Sequence, residues 1–570
     1  MQGMTKIFFP VLTFFLLIPR FIFAQDTSRY RLPMDLPLHL SATFGELRPN
    51  HFHAGLDIKT EGRTGWRVYA VADGDIVRVK VQPGGYGKAV YIRHKDGKIS
   101  VYGHLSDFAG ELEDYVKSRQ YEKKRFYIDL SFKPGRFPVK KGQIIAYSGN
   151  TGGSMGPHLH FELRRDMMHP MNPMREGFIP SDTVRPEIKG IYFYALNDTS
   201  HVNAVHGRVP GILHFLSDGK YEVDPVSAYG KIGLGIMTFD QQSETWNKNG
   251  VYNIRMKVNG IKVYETRMDE ISFSTTRNIN VLIDYPYYYH HRKYIQRLWK
   301  HPEAKLPVFA ALVKRGIIDV KPGERYAVQI EVSDFQGNTS VVTTMINGTS
   351  PIEKAKGVKR TPYFVNHKKP FRIHGDKTDI FFPPNTFYDD VYLNFSEYIN
   401  GFDIKPYDMA TSGSFTVRYS LQSVPGNLKK YAYLARVNLR NLKKVYAASR
   451  KKHDSIIMRT SRPGMFFVAY DSIPPVISGL NIANGKWISK YRYLRFRVKD
   501  GQTGIASINA YIDGQWILTE YDYKTGKVFY DFNDLSFPGK KHILHIIVRD
   551  RVGNKAEKKI VFYRKYKHLK

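Results

Sequence analysis

Residues 148–163, Ser-Gly-Asn-Thr-Gly-Gly-Ser-Met-Gly-Pro-His-Leu-His-Phe-Glu-Leu, pass from a loop into a strand and limit what can be built around them. Gly, Ser and Asn tolerate turns and positive φ, so the first half is a loop. Polarity then alternates, with Leu159, Phe161 and Leu163 on one face and His158, His160 and Glu162 on the other. Side chains at i and i+2 of a strand point the same way. At a rise of roughly 3.3 Å per residue, His158 and His160 stand about 7 Å apart on one face. Two imidazoles so placed suit one metal ligand and one neighbouring acid/base group. His-x-His alone is weak evidence, because surface histidines are ordinary.

Two further segments strengthen it. Asn50-His51-Phe52-His53-Ala54-Gly55-Leu56-Asp57 sets His53 and Asp57 across a turn that enters an apolar strand, and Val101-Tyr102-Gly103-His104-Leu105 ends a strand on a third histidine. Histidine and carboxylate are usual zinc ligands, and a catalytic zinc keeps three protein ligands with one open position. Each segment alone reads as a turn or a structural histidine; the combination does not.

With this order and spacing, residues 35–175 resemble the zinc endopeptidases of the lysostaphin/LytM type. Val71–Val77, Gly84–His94 and Val139–Gly149 resemble that family's strands and glycine turn. The resemblance implies a zinc held by His53, Asp57 and His160, with His104 and His158 flanking the catalytic water. It also implies peptidoglycan as substrate, cut in its stem or cross-bridge peptides. No HExxH helix is present, so the base is not a carboxylate of that kind, and sequence does not say which histidine takes the proton. Residues 106–136 depart from the family, being much longer than its usual link. Leu112, Tyr115 and Val116 have helical spacing there, and 126–132 reads as a strand. A helix and hairpin walling the substrate groove is the expectation, against an excursion without a role.

Residues 1–24 read as an export signal: Lys6, an apolar run from Ile7 to Leu17, then Phe21-Ile22-Phe23-Ala24 before polar residues. Arg20 argues against a spanning anchor, and no later segment is apolar enough to span. Cysteine is absent, so there is neither a lipid-bearing cysteine nor a disulfide, and stability must come from burial. Apolar residues make up 42% and aromatic residues 14%, enough for several cores, and the Tyr and Phe content favours strands. The net charge of +34 is spread along the chain. With an export signal, anionic envelope polymers or lipids are better attractors than nucleic acid, a solvated basic surface being the plainer account. The expected location is the periplasm, the cell envelope or the cell surface.

Beyond Pro173 the pattern changes to an internal repeat. Asp182-Thr183-Val184-Arg185-Pro186 matches Asp471-Ser472-Ile473-Pro474-Pro475, Val258-Asn259-Gly260 matches Ile512-Asp513-Gly514, and Asp334-Phe335-Gln336-Gly337-Asn338 matches Asp550-Arg551-Val552-Gly553-Asn554. Asn-Gly and Asp-Gly between alternating runs signal hairpins. The two copies resemble immunoglobulin-like modules of bacterial surface proteins. The expected organisation is mainly β: a signal at 1–24, a LytM-type peptidase domain at 30–175 with the 106–136 insertion, and three β-sandwich-like domains at 181–348, 361–469 and 470–566. The first copy is longer, holding the cluster Tyr285–Lys293, expected to pack rather than bind, and a helix expected from Arg297 to about Lys314. Residues 350–360 read as a linker. The prolines at 170, 173, 180 and 186 mark a boundary where few contacts should cross, so that a fragment ending near Pro180 should fold alone. The β domains would then bind an envelope protein or anionic polymer, either positioning the enzyme or covering its groove. Two other function classes fit the chain: a non-catalytic scaffold regulating other wall hydrolases, and a surface-binding protein with a structural metal.

Overall fold

The computed structural model describes residues 29–353, 355 and 360–565. The export signal at 1–24 and part of the 350–360 linker lie outside the described residues. No helix among those described is long and apolar enough to cross a membrane. The chain is mainly β, with one large sheet in the N-terminal part and further sheets after it.

The N-terminal sheet has nine strands, seven of them on its main path: β1 (Leu40–Ala42), β2 (Leu56–Lys59), β3 (Gly74–Val81), β4 (Lys88–His94), β5 (Ile99–Leu105), β6 (Ile128–Ser131) and β7 (His158–Asp166). Their spatial order is β1-β2-β7-β5-β4-β3-β6, all pairs antiparallel. Every residue of β5 is buried, as a central strand covered on both faces requires. β7 departs from simple alternation: residues 159–164 are all buried, so its polar face is covered as well as its apolar one. The one long helix of the insertion, α1 (Glu111–Glu122), buries Leu112 and Val116, and β6 pairs with β3 from Ile128↔Val81. α1 does not wall the groove around His53, Asp57 and His160, whose lining contains none of its residues. Glu113 and Lys117 line a separate cleft of about 940 Å³ against residues 480–534.

Beyond residue 180, a 13-stranded sheet carries residues 187–348, paired sheets of six and five strands carry 363–470, and paired sheets of four and five strands carry 476–563. Each group has its own apolar cluster, around Leu234 and Val332, around Phe402 and Phe415, and around Phe496 and Leu544. The repeat landmarks occupy equivalent places. Asn259-Gly260 and Asp513-Gly514 both close hairpins with positive φ at both residues, as this turn demands. Asn338 Nδ2 donates to the carbonyl of Asp182, and Asn554 Nδ2 donates to the carbonyl of Asp471. The last landmark of each copy therefore ties back to its first. Tyr285–His291 is a short helix capped by Asp284, and its Tyr288 stacks on Tyr294.

Two further expectations fail. Residues 297–314 form no helix; short strands at Gln296–Arg297 and Phe309–Leu312 flank an irregular segment. The apolar spacing there served packing: Leu306 and Val308 join the core of the N-terminal sheet. The second failure concerns the boundary near Pro180. The core containing Phe52, Phe161 and Phe178 continues into Met268, Ile271, Ile279, Leu282 and Ile283. Asp269 O accepts from Asn172 N–H at 2.9 Å, while Ile271 and Phe273 donate to the carbonyls of Pro170 and Met168 at 3.0 Å. The proline-rich stretch marks a change of sheet and no gap in packing. Residues 516–534 dock too: the buried Lys88 pairs with Glu520 at 3.0 Å, and Lys117 pairs with Asp534 at 2.9 Å.

Candidate metal centre

Register brings the site together. Asp57 on β2 lies opposite His160 on β7, and His160 lies opposite Gly103 on β5. Directly opposed residues share a face, so Asp57 and His160 meet. A Cβ at position 103 would stand 3.4 Å from the Cβ of His160 and from the Tyr86 ring, so glycine leaves the space open. The pleat would aim His104 at the far face. His104 instead adopts φ 59°, a left-handed conformation costly for a residue with a Cβ. Its ring lies 4.7 Å from that of His158 and 5.9 Å from that of His160. All five candidate residues thus gather in one place.

Three donor atoms converge. His53 Nε2 lies 3.2 Å from His160 Nδ1 and 3.1 Å from Asp57 Oδ1, and His160 Nδ1 lies 2.8 Å from the same oxygen. The remaining ring nitrogens are committed. His53 Nδ1–H donates to the Thr43 carbonyl at 2.7 Å, and His160 Nε2–H donates to Glu162 Oε1 at 2.7 Å. Those partners set the tautomers. Two imidazole lone pairs then face each other beside a carboxylate, which repels unless a cation or proton sits among them. Ligands at about 2.0–2.1 Å from a tetrahedral zinc lie about 3.3 Å from one another. The observed separations are close to that, so the residues fit such an ion.

Electrostatics agree. Burial would raise the Asp57 carboxyl, yet the three histidines around it, His53, His158 and His160, hold it well below the usual range. Burial works against a charged His160, but Asp57 and Glu162 outweigh it and lift the ring to about 9. Glu162, raised by burial, is brought down to about 2 by Arg164 and His160. A cation at His160 Nδ1 displaces that proton, so loading releases a proton and weakens as pH falls. His104 goes the other way: burial, then His160 and His158, push it down to about 3. At neutral pH it is a neutral imidazole.

His104 and His158 are held alike. His104 Nδ1–H donates to the Thr151 carbonyl at 2.8 Å, and His158 Nδ1–H donates to the Gly156 carbonyl at 2.9 Å. Both bonds leave Nε2 available for chemistry, and His158 Nε2 lies 3.5 Å from Asp57 Oδ1. The loop supplying these carbonyls is anchored from far along the chain, where Lys524 Nζ donates to the carbonyls of Asn150 and Ser154 at 2.6 and 3.0 Å.

Sequence reasoning gave no role to the residues behind the ligands. Glu162, fully buried, accepts from His160, from Arg164 Nε at 2.6 Å and from the Tyr86 hydroxyl. Its signal was present, since Glu162 continues the same-face series of His158 and His160. Trp246 had no signal at all. It lines the groove from a distant part of the sequence and is 82% exposed, its ring under Lys59 Nζ at 4.7 Å. The groove, about 870 Å³, runs past the exposed Met155 and Gly62. Outer partners of metal ligands are worth about 10–100-fold in affinity. Glu162→Gln keeps an oxygen for His160 but loses the charge, so zinc affinity should fall by about that factor in chelator competition. Unchanged affinity would remove Glu162 from the site.

The chain matches Peptidase family M23 over residues 51–121 and 128–173, segments that contain all five candidate residues. An uncharacterized metalloprotease of Haemophilus influenzae is 39% identical over 139 residues, 24% of this chain and 23% of that protein. The DD-carboxypeptidase/endopeptidase Mpg of Neisseria meningitidis serogroup B is 34% identical over 155 residues, 26% of this chain and 30% of that protein. Lipoprotein NlpD of Yersinia enterocolitica is 32% identical over 114 residues, 20% of this chain and 92% of that sequence. The chain therefore spans under a third of the first two relatives and nearly all of the third.

Proposed function

This chain belongs to peptidase family M23, and we propose that it is an exported zinc metalloendopeptidase cleaving stem or cross-link peptides of peptidoglycan. The observation that carries the reading is the convergence of His53 Nε2, His160 Nδ1 and Asp57 Oδ1, with two further histidines at its edge. Zinc bound there would act as a Lewis acid and lower the pKa of a bound water toward roughly 7. The protein's own residues do the rest. Thr43 and Glu162 fix the ligand tautomers through His53 and His160. Thr151 and Gly156 fix those of His104 and His158, leaving a lone pair on each Nε2; either could accept the proton from water and, once protonated, donate it to the oxyanion or the leaving amine. The open groove suits an extended peptide, and Trp246 and Met155 give its rim apolar surface.

The substrate class rests on the family and on the endopeptidase among the relatives. The periplasm or cell envelope as its place rests on the signal-like start and on the net charge of +34, which suits anionic envelope material. The C-terminal sheets would hold the enzyme at an envelope partner. A scaffold that only regulates other hydrolases has no use for two histidines held with Nε2 available. His158→Ala and His104→Ala should each slow turnover by about 10²-fold, the usual scale for an acid/base group, while zinc content stays at the wild-type level. If zinc leaves together with activity, the altered histidine is a ligand and the division of roles is wrong.

A further inference from the structure

A second group of donors lies outside the groove, where residues 181–186 leave the N-terminal sheet. Asp182, Asp240 and Asp334 bring carboxylate oxygens within 4.8 Å of one another. Asp182 is on the connection itself. Asp240 follows the strand Val226–Phe239, and Asp334 follows Arg325–Ser333. Two of the three are served by donors. Asp334 Oδ1 accepts from the N–H groups of Gly337 and Asn338, and its Oδ2 accepts from Asn338 Nδ2. Asp182 Oδ1 accepts from the N–H groups of Val184 and Ser243.

Asp240 is different. It is 6% exposed, and its Oδ1 is buried without a hydrogen-bond partner. Asn249, 3% exposed and lining the same small cavity, has neither its side-chain oxygen nor its nitrogen paired. The charges bearing on Asp240 are those of Asp334 and Asp182, both negative, and they add to burial in raising its carboxyl to about 8. The Gln241 N–H is the one hydrogen bond that favours its charged form, and a buried carboxylate oxygen without a partner beside two other carboxylates is a costly arrangement for a fold to keep, unless a cation completes it.

We propose that Asp182, Asp240 and Asp334, with Asn249 Oδ1 as a neutral fourth ligand, bind a calcium ion that pins residues 181–348 to the peptidase domain. The donor set is all oxygen, which selects a hard cation over zinc. Oxygens at about 2.3–2.6 Å from calcium lie at most about 4.6–5.2 Å apart, and this cluster fits within that span. The cavity is also lined by Leu40, Phe44 and Met174 of the N-terminal domain, so the ion would sit at the junction. The geometry recurs in the second copy, where Asp471, Asp500 and Asp550 meet under the same limit. There Asp471 Oδ2 accepts from the Thr503 hydroxyl, and the proposed ion belongs to the first copy alone.

The test uses full-length, zinc-loaded protein stripped of calcium with a calcium-selective chelator. Bound calcium per chain and the thermal midpoint are then measured with and without millimolar calcium chloride. Wild type should bind calcium and melt higher with it. Asp240→Asn should bind one ion fewer. It should melt above wild type in chelator, because buried repulsion is relieved, and below wild type in calcium. A merely structural Asp240 would not produce that reversal. Asp182→Asn should repeat the loss of one ion, and His158→Ala should retain both the ion and the shift. Wild-type calcium content in Asp240→Asn, or no calcium response in wild type, would overturn the site.

Discussion

Asp57→Ala and His160→Ala should each yield protein without zinc and without measurable hydrolysis. Asp57 supplies the only carboxylate among the three converging donors, and His160 supplies a nitrogen 2.8 Å from it. Removing either would leave two of the three proposed ligands, fewer than a catalytic zinc keeps. The two variants differ in what they leave behind. Asp57→Ala keeps the Glu162–His160 bond and should stay folded. His160→Ala strands the fully buried Glu162 with Arg164 and Tyr86, so a lower thermal midpoint should accompany its loss of metal. Elemental analysis decides: full zinc in either variant would falsify the ligand assignment, whatever the activity.

Truncation after Pro180 has an effect of comparable size and of a different kind. Such a fragment contains all five site residues, and from sequence it should fold and keep zinc. The packing predicts otherwise. Met268, Ile271, Ile279, Leu282, Ile283, Leu306 and Val308 are removed from the core that holds Phe52, Phe161 and Phe178. Exposing one fully buried side chain of this size costs about 1.5–3 kcal/mol. Several together match the whole net stability of a typical domain, about 5–15 kcal/mol. The cut also removes Gln242, whose side chain accepts from Leu40 N–H and donates to the Leu38 carbonyl, and Thr276, which accepts from Phe52 N–H. The fragment should be insoluble or molten. A fragment extended through residue 348 restores these partners and should fold more readily. A cooperative melt with full zinc from the shorter fragment would show that the junction contributes little.

The site was legible because its residues lie on short, strongly patterned stretches. His158-Leu-His160-Phe-Glu162 alternates, and alternation on a strand fixes which side chains share a face. The turn at 53–57 and the strand end at 104 were equally local. Four things were not legible. His104 reaches the site only because its φ of 59° reverses the pleat, and no residue pattern announces that. Trp246 and Lys524 reach the groove and its loop from distant modules, and periodicity carries no information about docking between sheets. The boundary at 170–186 failed for the same reason. Prolines report that the chain changes direction, whereas Asn172 and Met171 pair with residues 269 and 270 across the supposed gap. The segment 297–314 misled through composition, because its apolar residues cover a neighbouring core instead of forming one face of a helix.

Mass analysis of purified peptidoglycan after incubation with the full-length protein tests the central claim most directly. Soluble fragments whose masses report hydrolysis of peptide bonds are expected, lost on chelation, restored by zinc, and nearly absent with His158→Ala although that variant keeps its metal. Wall material left intact by zinc-loaded protein, or the same fragments released after the metal has been removed, would contradict it.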